Sequence, residues 1–177
     1  MENLAKAIFE HYEKYLGEMI GADNYPRENI QLMGYQDAVQ GCLTFATMGL
    51  NLHEKALGRA CEVVLTTDKD YDSCAAILME ALSFIISRNL PMGPGLAING
   101  LPEAFQKDHG KSALYFTEAT MFNGGFRKIG DSCTVSMAFF LTEKEEKYLQ
   151  KNGAGKLEAL LEEKKADIID LDRPGTC

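Results

Sequence analysis

The sequence predicts an α+β domain in which helices cover a mostly antiparallel sheet. In residues 132–140, Cys133, Val135, Met137 and Phe139 alternate with other residues and share one face, as in a strand. Two other segments, one at the N-terminus and one after residue 70, repeat apolar residues at helical spacing. No internal repeat, low-complexity tract or linker divides the chain, so we expect residues 1–177 to form a single domain.

Composition narrows the class of function. The chain has 177 residues, 46% of them hydrophobic and 25% charged, which is ordinary for a domain with a sizeable core. A net charge of −8 argues against nucleic-acid binding and favours basic partners. The N-terminus lacks the pattern of a secretory signal, and no apolar run reaches the roughly 18 residues that span a bilayer. We therefore expect a cytoplasmic protein that does not bind membranes.

The first part of the chain predicts one helix and three strands. Apolar residues from Leu4 to Met19 recur at helical spacing, which predicts a helix to about Leu16, before Gly17 and Gly21. Residues 23–26 predict a turn. Strands are expected at residues 30–35, 42–47 and 59–66.

The middle of the chain predicts a long helix followed by further strands. Asp68, Asp70 and Asp72 offer acidic N-terminal caps, and the buried stripe of this helix would comprise Cys74, Ile77, Leu78, Ala81, Leu82 and Ile85. Pro91 ends the helix. A polar connection is expected at 102–111, and strands at 96–99, 113–120 and 132–140.

The C-terminal segment predicts strand, helix, glycine break, helix and strand. Thr142 is placed to cap a helix, and Glu145, three residues later, completes a capping box. Asn152-Gly153 ends that helix, and a second one follows. The apolar face of the second helix would carry Leu157, Leu160 and Leu161. The last strand is expected at 167–171.

Several of these segments resemble the suppressor-of-fused-like domain family. The resemblance rests on five segments: Thr47-Met48-Gly49-Leu50, Ala60-Cys61-Glu62-Val63, Gly93-Pro94-Gly95, the unit from Thr142 to Glu146, and Asp172-Arg173-Pro174. They occur in the family's order across most of the chain. Two departures are Asn51 in place of a serine, and Phe140-Leu141 in place of the family's usual Pro-Ile.

The resemblance implies a binding domain. One-domain bacterial members of about this length resemble immunity proteins, which neutralise a protein toxin, and nuclease toxins are a natural target because their substrate-binding faces are basic. Animal relatives carry an additional domain, for which we expect no room here. The function implied is stoichiometric binding of a cognate toxin. The alternative is a regulatory scaffold that sequesters another intracellular protein.

The residues themselves predict no enzyme, no cofactor and no metal site. Gly110-Lys111-Ser112 lacks the preceding glycine of a phosphate-binding loop, and the three histidines show no metal-ligand spacing. Glu62 in an apolar strand is either a catalytic base or, as we favour, a residue that pairs with Arg59 or Arg173 or faces solvent.

Acidic residues near the long helix and in the polar connection are the candidate partner contacts. They are Asp68, Asp70, Asp72, Glu103 and Asp108. The five cysteines form no C-x-x-C pair and mostly lie in apolar runs, so we expect reduced core thiols, with Cys177 the exposed exception.

Overall fold

The computed structural model describes residues 2–36 and 38–177, with side chains from residue 4 onward. The strands are β1 (Met19–Tyr25), β2 (Ile30–Gln36), β3 (Leu43–Met48), β4 (Cys61–Thr67), β5 (Leu96–Asn99), β6 (Lys111–Glu118), β7 (Lys128–Ile129) and β8 (Cys133–Thr142). The α-helices are α1 (Glu2–Leu16), α2 (Glu54–Leu57), α3 (Tyr71–Arg88), α4 (Glu103–His109), α5 (Glu143–Asn152) and α6 (Ala154–Glu163). Short 3-10 helices occupy Leu50–His53 and Gly124–Arg127.

The strands form one sheet in the order β1-β2-β3-β4-β8-β6-β5, with β7 pairing on β8. Neighbouring strands are antiparallel except β4 and β8, which run parallel. A parallel pair needs a long crossover, and here the chain from α3 to β7 supplies it. The predicted mostly antiparallel α+β fold is confirmed.

Helices cover both faces of this sheet. On one face, the predicted stripe of α3 is buried in full and packs on Cys61, Val63 and Leu65 of β4. On the other face, α1 and α6 cover the alternate residues of β8, from Cys133 to Phe139, together with Val64 of β4. Because strand residues alternate between faces, Glu62 lies on the same side as Val64.

Three sequence expectations differ from the structure. Residues 19–25 form an edge strand where a turn was expected at 23–26, because the tight turn comes later, between β1 and β2. The polar connection contains helix α4. Residues 167–171 form turns where a strand was expected, because the Asp167 carboxylate accepts the N–H groups of Ile169 and Asp170.

The thiols follow the expected pattern. Cys61, Cys74 and Cys133 are buried, Cys42 is partly buried and Cys177 is exposed, and all five are free. Within the described part of the chain, no helix has both the length and the apolar character needed to cross a bilayer.

The parallel pairing of β4 and β8 gives the sheet two chemically different ends. Cys61 aligns with Thr134, so Arg59 lies near the start of β8. The last residues of β4 precede Asp68, and those of β8 precede α5. The central strands therefore run from Arg59 at one end towards Asp68 at the other.

Candidate functional site

Acidic side chains from two separate segments and a histidine from a third meet beyond the C-terminal end of β4. Asp70 precedes α3, His109 ends α4, and Asp172 lies in the C-terminal segment. His109 contacts both acids, with Nε2 3.1 Å from an Asp70 carboxylate oxygen and Nδ1 2.7 Å from one of Asp172. Lys69 Nζ lies 2.7 Å from the second oxygen of Asp172 and 3.3 Å from Asp68. We call Asp68, Lys69, Asp70, His109 and Asp172 the acidic network.

The charges within the acidic network support one another. Partial burial of His109 disfavours its charged form, but the two carboxylate partners outweigh burial and raise its pKa above the usual value. The contacts of His109 and Lys69 lower the pKa of Asp172 to about 2. With both ring nitrogens facing carboxylates, the imidazolium donates to Asp70 and Asp172 together. The network thus joins α3, α4 and the C-terminal segment.

The five predicted contact residues divide into two groups. Asp68 and Asp70 lie in the acidic network, and Asp68 also accepts the Leu171 N–H at 3.0 Å. Asp72, Glu103 and Asp108 are exposed, on the first turn of α3 and on α4, and their described contacts do not join them to the network. Sequence reasoning did not identify Asp172 and His109 as members, because only the fold brings their segments together.

Glu62 is completely buried and is held by a turn of the neighbouring strand. Thr47 Oγ1 donates to its carboxylate at 2.7 Å. The backbone N–H groups of Gly49, Leu50 and Asn51 donate at 3.1, 3.3 and 3.2 Å. The Thr47 hydroxyl in turn accepts the Val63 N–H at 2.9 Å. We call this arrangement the Glu62 cradle.

Gly49 is required where the chain enters this turn. Its φ of +104° lies in a region that side-chain-bearing residues rarely adopt. A Cβ atom there would lie 2.6 Å from the backbone oxygen of Asn29. The glycine therefore lets the turn close over the Glu62 carboxylate.

Burial raises the pKa of Glu62 to about 7, against the opposing effect of its hydrogen-bond donors. The expectation that Glu62 pairs with Arg59 or Arg173, or faces solvent, is wrong. Its described partners are a hydroxyl and three backbone N–H groups, while Arg59 bonds Ser136 and Arg173 bonds Glu145. A turn of the backbone satisfies this carboxylate without a cation.

Glu145 is equally buried but is paired with an arginine. Arg173 Nη1 and Nη2 lie 2.6 and 3.0 Å from its two oxygens, a bidentate ion pair. The backbone N–H of Thr142 donates to the same carboxylate, and the Thr142 hydroxyl accepts the Glu145 N–H, so the predicted capping box is confirmed. We call this arrangement the Glu145 cradle.

The arginine reverses the effect of burial on Glu145. Burial by itself raises the pKa of this carboxyl group, but Arg173 and the N–H donors lower it to about 2. Lys111, whose Nζ donates to the Arg173 carbonyl at 2.7 Å, is also buried, and burial lowers its pKa to about 8. This cradle anchors the C-terminal segment to α5 and β6.

Neither buried carboxylate reaches the surface. Glu62 and Glu145 are both 0% exposed, so neither can contact an external substrate in this conformation. Among the described residues, no group of three or more His, Cys, Asp or Glu side chains is placed to hold a metal ion. The arrangement of both cradles is that of structural anchors for turns and chain ends.

The fold and its cradles define a suppressor-of-fused-like α+β domain, since four of the five segments that carry the sequence resemblance contribute to the cradles. The model of the suppressor of fused protein (SUFU) family matches residues 26–174. The chain belongs to the SUFU family.

Two known proteins are similar to this chain. The immunity protein YqcF of Bacillus subtilis (strain 168) is 22% identical over 160 residues, which cover 85% of this chain and 83% of that protein. A putative SUFU homolog from Neisseria gonorrhoeae FA 1090, known from its crystal structure, superposes with a TM-score of 0.80 at 13% identity. The superposition covers 100% of this chain and 98% of that one. At that identity, the second likeness bears on the fold alone.

Proposed function

We propose that this protein is an immunity protein that binds a cognate protein toxin and neutralises it by stoichiometric association. The observation that carries the proposal is the likeness to a protein named as an immunity protein, which extends over 85% of this chain. The proposed role needs no catalytic centre and places the protein in the cytoplasm. A nuclease is the toxin class that the chemistry favours, because a net charge of −8 complements a basic, nucleic-acid-binding face.

We place the toxin contact on the acidic surface around α3 and α4. Asp72, Glu103 and Asp108 are exposed and have no described ion-pair partner, so their charges are available to a partner. Asp68 and Asp70 belong to the acidic network, where Lys69 and His109 partly neutralise them, so their role is to hold the surface in shape. Binding there would block the substrate face of the toxin by steric and electrostatic competition.

Co-expression with a candidate toxin tests this proposal. The candidate is a secreted protein with a variable C-terminal domain encoded by a neighbouring reading frame. We expect restored growth of cells that express the toxin domain and a stoichiometric complex of the purified chains. Absence of both with every toxin encoded nearby would contradict the proposal.

A charge-neutralised variant tests the contact surface. Asp72→Asn, Glu103→Gln and Asp108→Asn combined should slow association about tenfold at low salt, because charge on a binding surface acts mainly on the association rate. The matched control, Glu18→Gln, Glu54→Gln and Glu163→Gln, removes the same charge from other exposed positions. Equal association rates for the two triple variants would show that the toxin does not bind at this surface.

A second candidate is a regulatory scaffold that sequesters another protein by strand addition. The observation that favours it is edge strand β1, which pairs only with β2 among the described strands and exposes residues 20–24. Ile20, which is 58% exposed, would contact an added strand. The combined substitutions Ile20→Lys and Ala22→Lys should abolish binding by strand addition and leave protection against a toxin intact. The variant therefore distinguishes a scaffold from an immunity protein.

A further inference from the structure

A cleft lined by cations lies at the end of β4 opposite the acidic network. Its wall contains Arg59, just before β4, Arg127, which ends the second 3-10 helix, and Lys128, the first residue of β7. Thr134 and Ser136 of β8 add hydroxyl groups, and Glu118 lies at the end of β6. We call these six residues the basic cleft. Its volume is about 330 Å³, in the lower part of the range for small-molecule sites.

The two arginines have hydrogen-bonding capacity that the described residues do not use. Arg59 Nη2 donates to Ser136 Oγ at 2.7 Å, but its buried Nε has no partner among the described residues. The buried Nε of Arg127 has none either. Each Nε atom is closed off from solvent, so an acceptor in the cleft would bond the outer Nη groups, such as those of Arg127, whose side chain is 41% exposed.

The charge of the basic cleft is opposite to that of the whole chain. Arg59, Arg127 and Lys128 contribute three positive charges, and Glu118 is the one carboxylate among the described residues that line the cleft. Arg127 Nη1 lies 3.5 Å from Glu118, longer than the roughly 2.7–2.9 Å of a strong ionic hydrogen bond, and both side chains are substantially exposed. Glu118 therefore neutralises the cleft only in part.

We propose that the basic cleft binds a phosphate group, carried by inorganic phosphate or by a small phosphate monoester. A phosphate dianion matches the net charge of +2 from these side chains. The phosphate oxygens can accept hydrogen bonds from both guanidinium groups and from the lysine together, whereas a single carboxylate offers two oxygens and one charge. The Ser136 and Thr134 hydroxyls lie beside these cations. This site is independent of the proposed toxin contact.

Isothermal titration calorimetry of the full chain with inorganic phosphate tests this proposal. Titration with chloride at matched ionic strength is the reference. We expect saturable phosphate binding that weakens at least about tenfold in Arg127→Gln and in Lys128→Gln, because each removes a charge-assisted contact. Arg27→Gln and Lys144→Gln, which remove exposed cations elsewhere, should bind like the wild type. Glycerol phosphate and phosphoserine, compared with glycerol and serine, would distinguish monoesters from inorganic phosphate.

Several outcomes would overturn the proposal. Heats equal to those with chloride would do so, as would phosphate binding that the two cleft variants retain. Binding of a short polyglutamate peptide with no response to any phosphate would assign the cleft to an acidic protein segment instead. Circular dichroism and urea unfolding of each variant exclude misfolding as the cause of lost binding, and Arg127→Lys, which keeps the charge, should recover part of the affinity.

Discussion

The Glu62 and Glu145 cradles bury the same chemical group and give it opposite properties. Both carboxylates are fully covered, and both accept backbone N–H groups from a turn or a helix start. The difference is Arg173, which pairs with Glu145 and has no counterpart among the described partners of Glu62. Burial therefore raises one pKa to about 7, while the ion pair lowers the other to about 2.

The comparison shows how the partner of a buried acid decides whether its site responds to pH. Glu145 stays charged at any physiological pH, so it anchors the C-terminal segment without titrating. Glu62 changes protonation close to neutrality, and it holds the turn after β3. The first arrangement is a permanent anchor, and the second is one whose strength depends on pH.

Removal of the arginine should produce the largest effect. Arg173→Leu leaves Glu145 buried and without its counter-charge, so we expect the free energy of unfolding to fall by about 3–5 kcal/mol. Arg173 and Glu145 are both nearly or fully inaccessible to solvent, so water cannot replace the lost partner. Urea unfolding at neutral pH measures the change.

The control for this variant is Arg27→Leu, which removes an exposed arginine and should change stability by less than about 0.5 kcal/mol. The double variant Arg173→Leu with Glu145→Leu should be more stable than Arg173→Leu alone, because no unpaired charge remains buried. Similar losses for Arg173→Leu and Arg27→Leu would refute the distinction between the two cradles.

The pH dependence of stability should differ in sign between the two carboxylates. The folded-state pKa of Glu62 is above its usual 4.5, so the folded state holds the extra proton and stability falls as pH rises from about 4.5 to about 7. The cost reaches about 3 kcal/mol at pH 7 and above, since each pKa unit corresponds to about 1.4 kcal/mol. The folded-state pKa of Glu145 is lowered, so its contribution is present above pH 4.5 and is lost as pH falls towards 2.

Glu62→Gln isolates the first of these effects. Unfolding free energies at several pH values between about 5 and 8 should decline more steeply in the wild type than in Glu62→Gln. His109 has a raised pKa and contributes a decline of the same sign, but it is present in both proteins and cancels in the difference. Parallel profiles for the two proteins would mean that Glu62 does not titrate in this range.

The turn that holds Glu62 offers a steric test. Gly49→Ala should reduce stability by at least about 2 kcal/mol, because it combines backbone strain with a Cβ atom 2.6 Å from the Asn29 carbonyl oxygen. Gly110→Ala is the matched control, since Gly110 also has a positive φ, of 65°, but open space around its Cβ position, so we expect a loss of about 1 kcal/mol. Urea unfolding compares the two. Equal losses would show that the contact with Asn29 is unimportant.

The two cradles also differ in how far the sequence could predict them. The capping box of Glu145 depends on residues three apart, so local spacing was sufficient to find it. Three of the four described partners of Glu62 are backbone N–H groups 11 to 13 residues away, which no side-chain pattern displays. Of its two predicted partners, Arg173 instead pairs with Glu145 and Arg59 bonds Ser136.

The sequence likewise predicts only part of the acidic surface around α3 and α4. The acidic residues at the start of α3 were predicted as helix caps; Asp70 takes the N-cap position but makes no side-chain capping hydrogen bond. Four of the five predicted contacts are exposed. The acidic network required α4, which was expected to be an irregular connection, and Asp172, which was expected to follow a strand. Cationic residues of the basic cleft are separated by about 70 positions, so their proximity follows from the parallel pairing of β4 with β8.

The smallest expected effect compares the threonine hydroxyls of the two cradles. Thr142→Ala should cost about 1 kcal/mol, a typical value for a lost helix cap, measured by urea unfolding against the exposed Thr120→Ala. Because the Thr142 hydroxyl accepts and does not donate to the carboxylate, while its backbone N–H still donates, the pKa of Glu145 should stay well below its usual value. Thr47→Ala removes a direct donor and should raise the pKa of Glu62 further. Carboxyl-carbon NMR titrations of both variants measure these shifts, and a pKa of Glu145 that rises as much as that of Glu62 would show that the ion pair with Arg173 does not dominate its cradle.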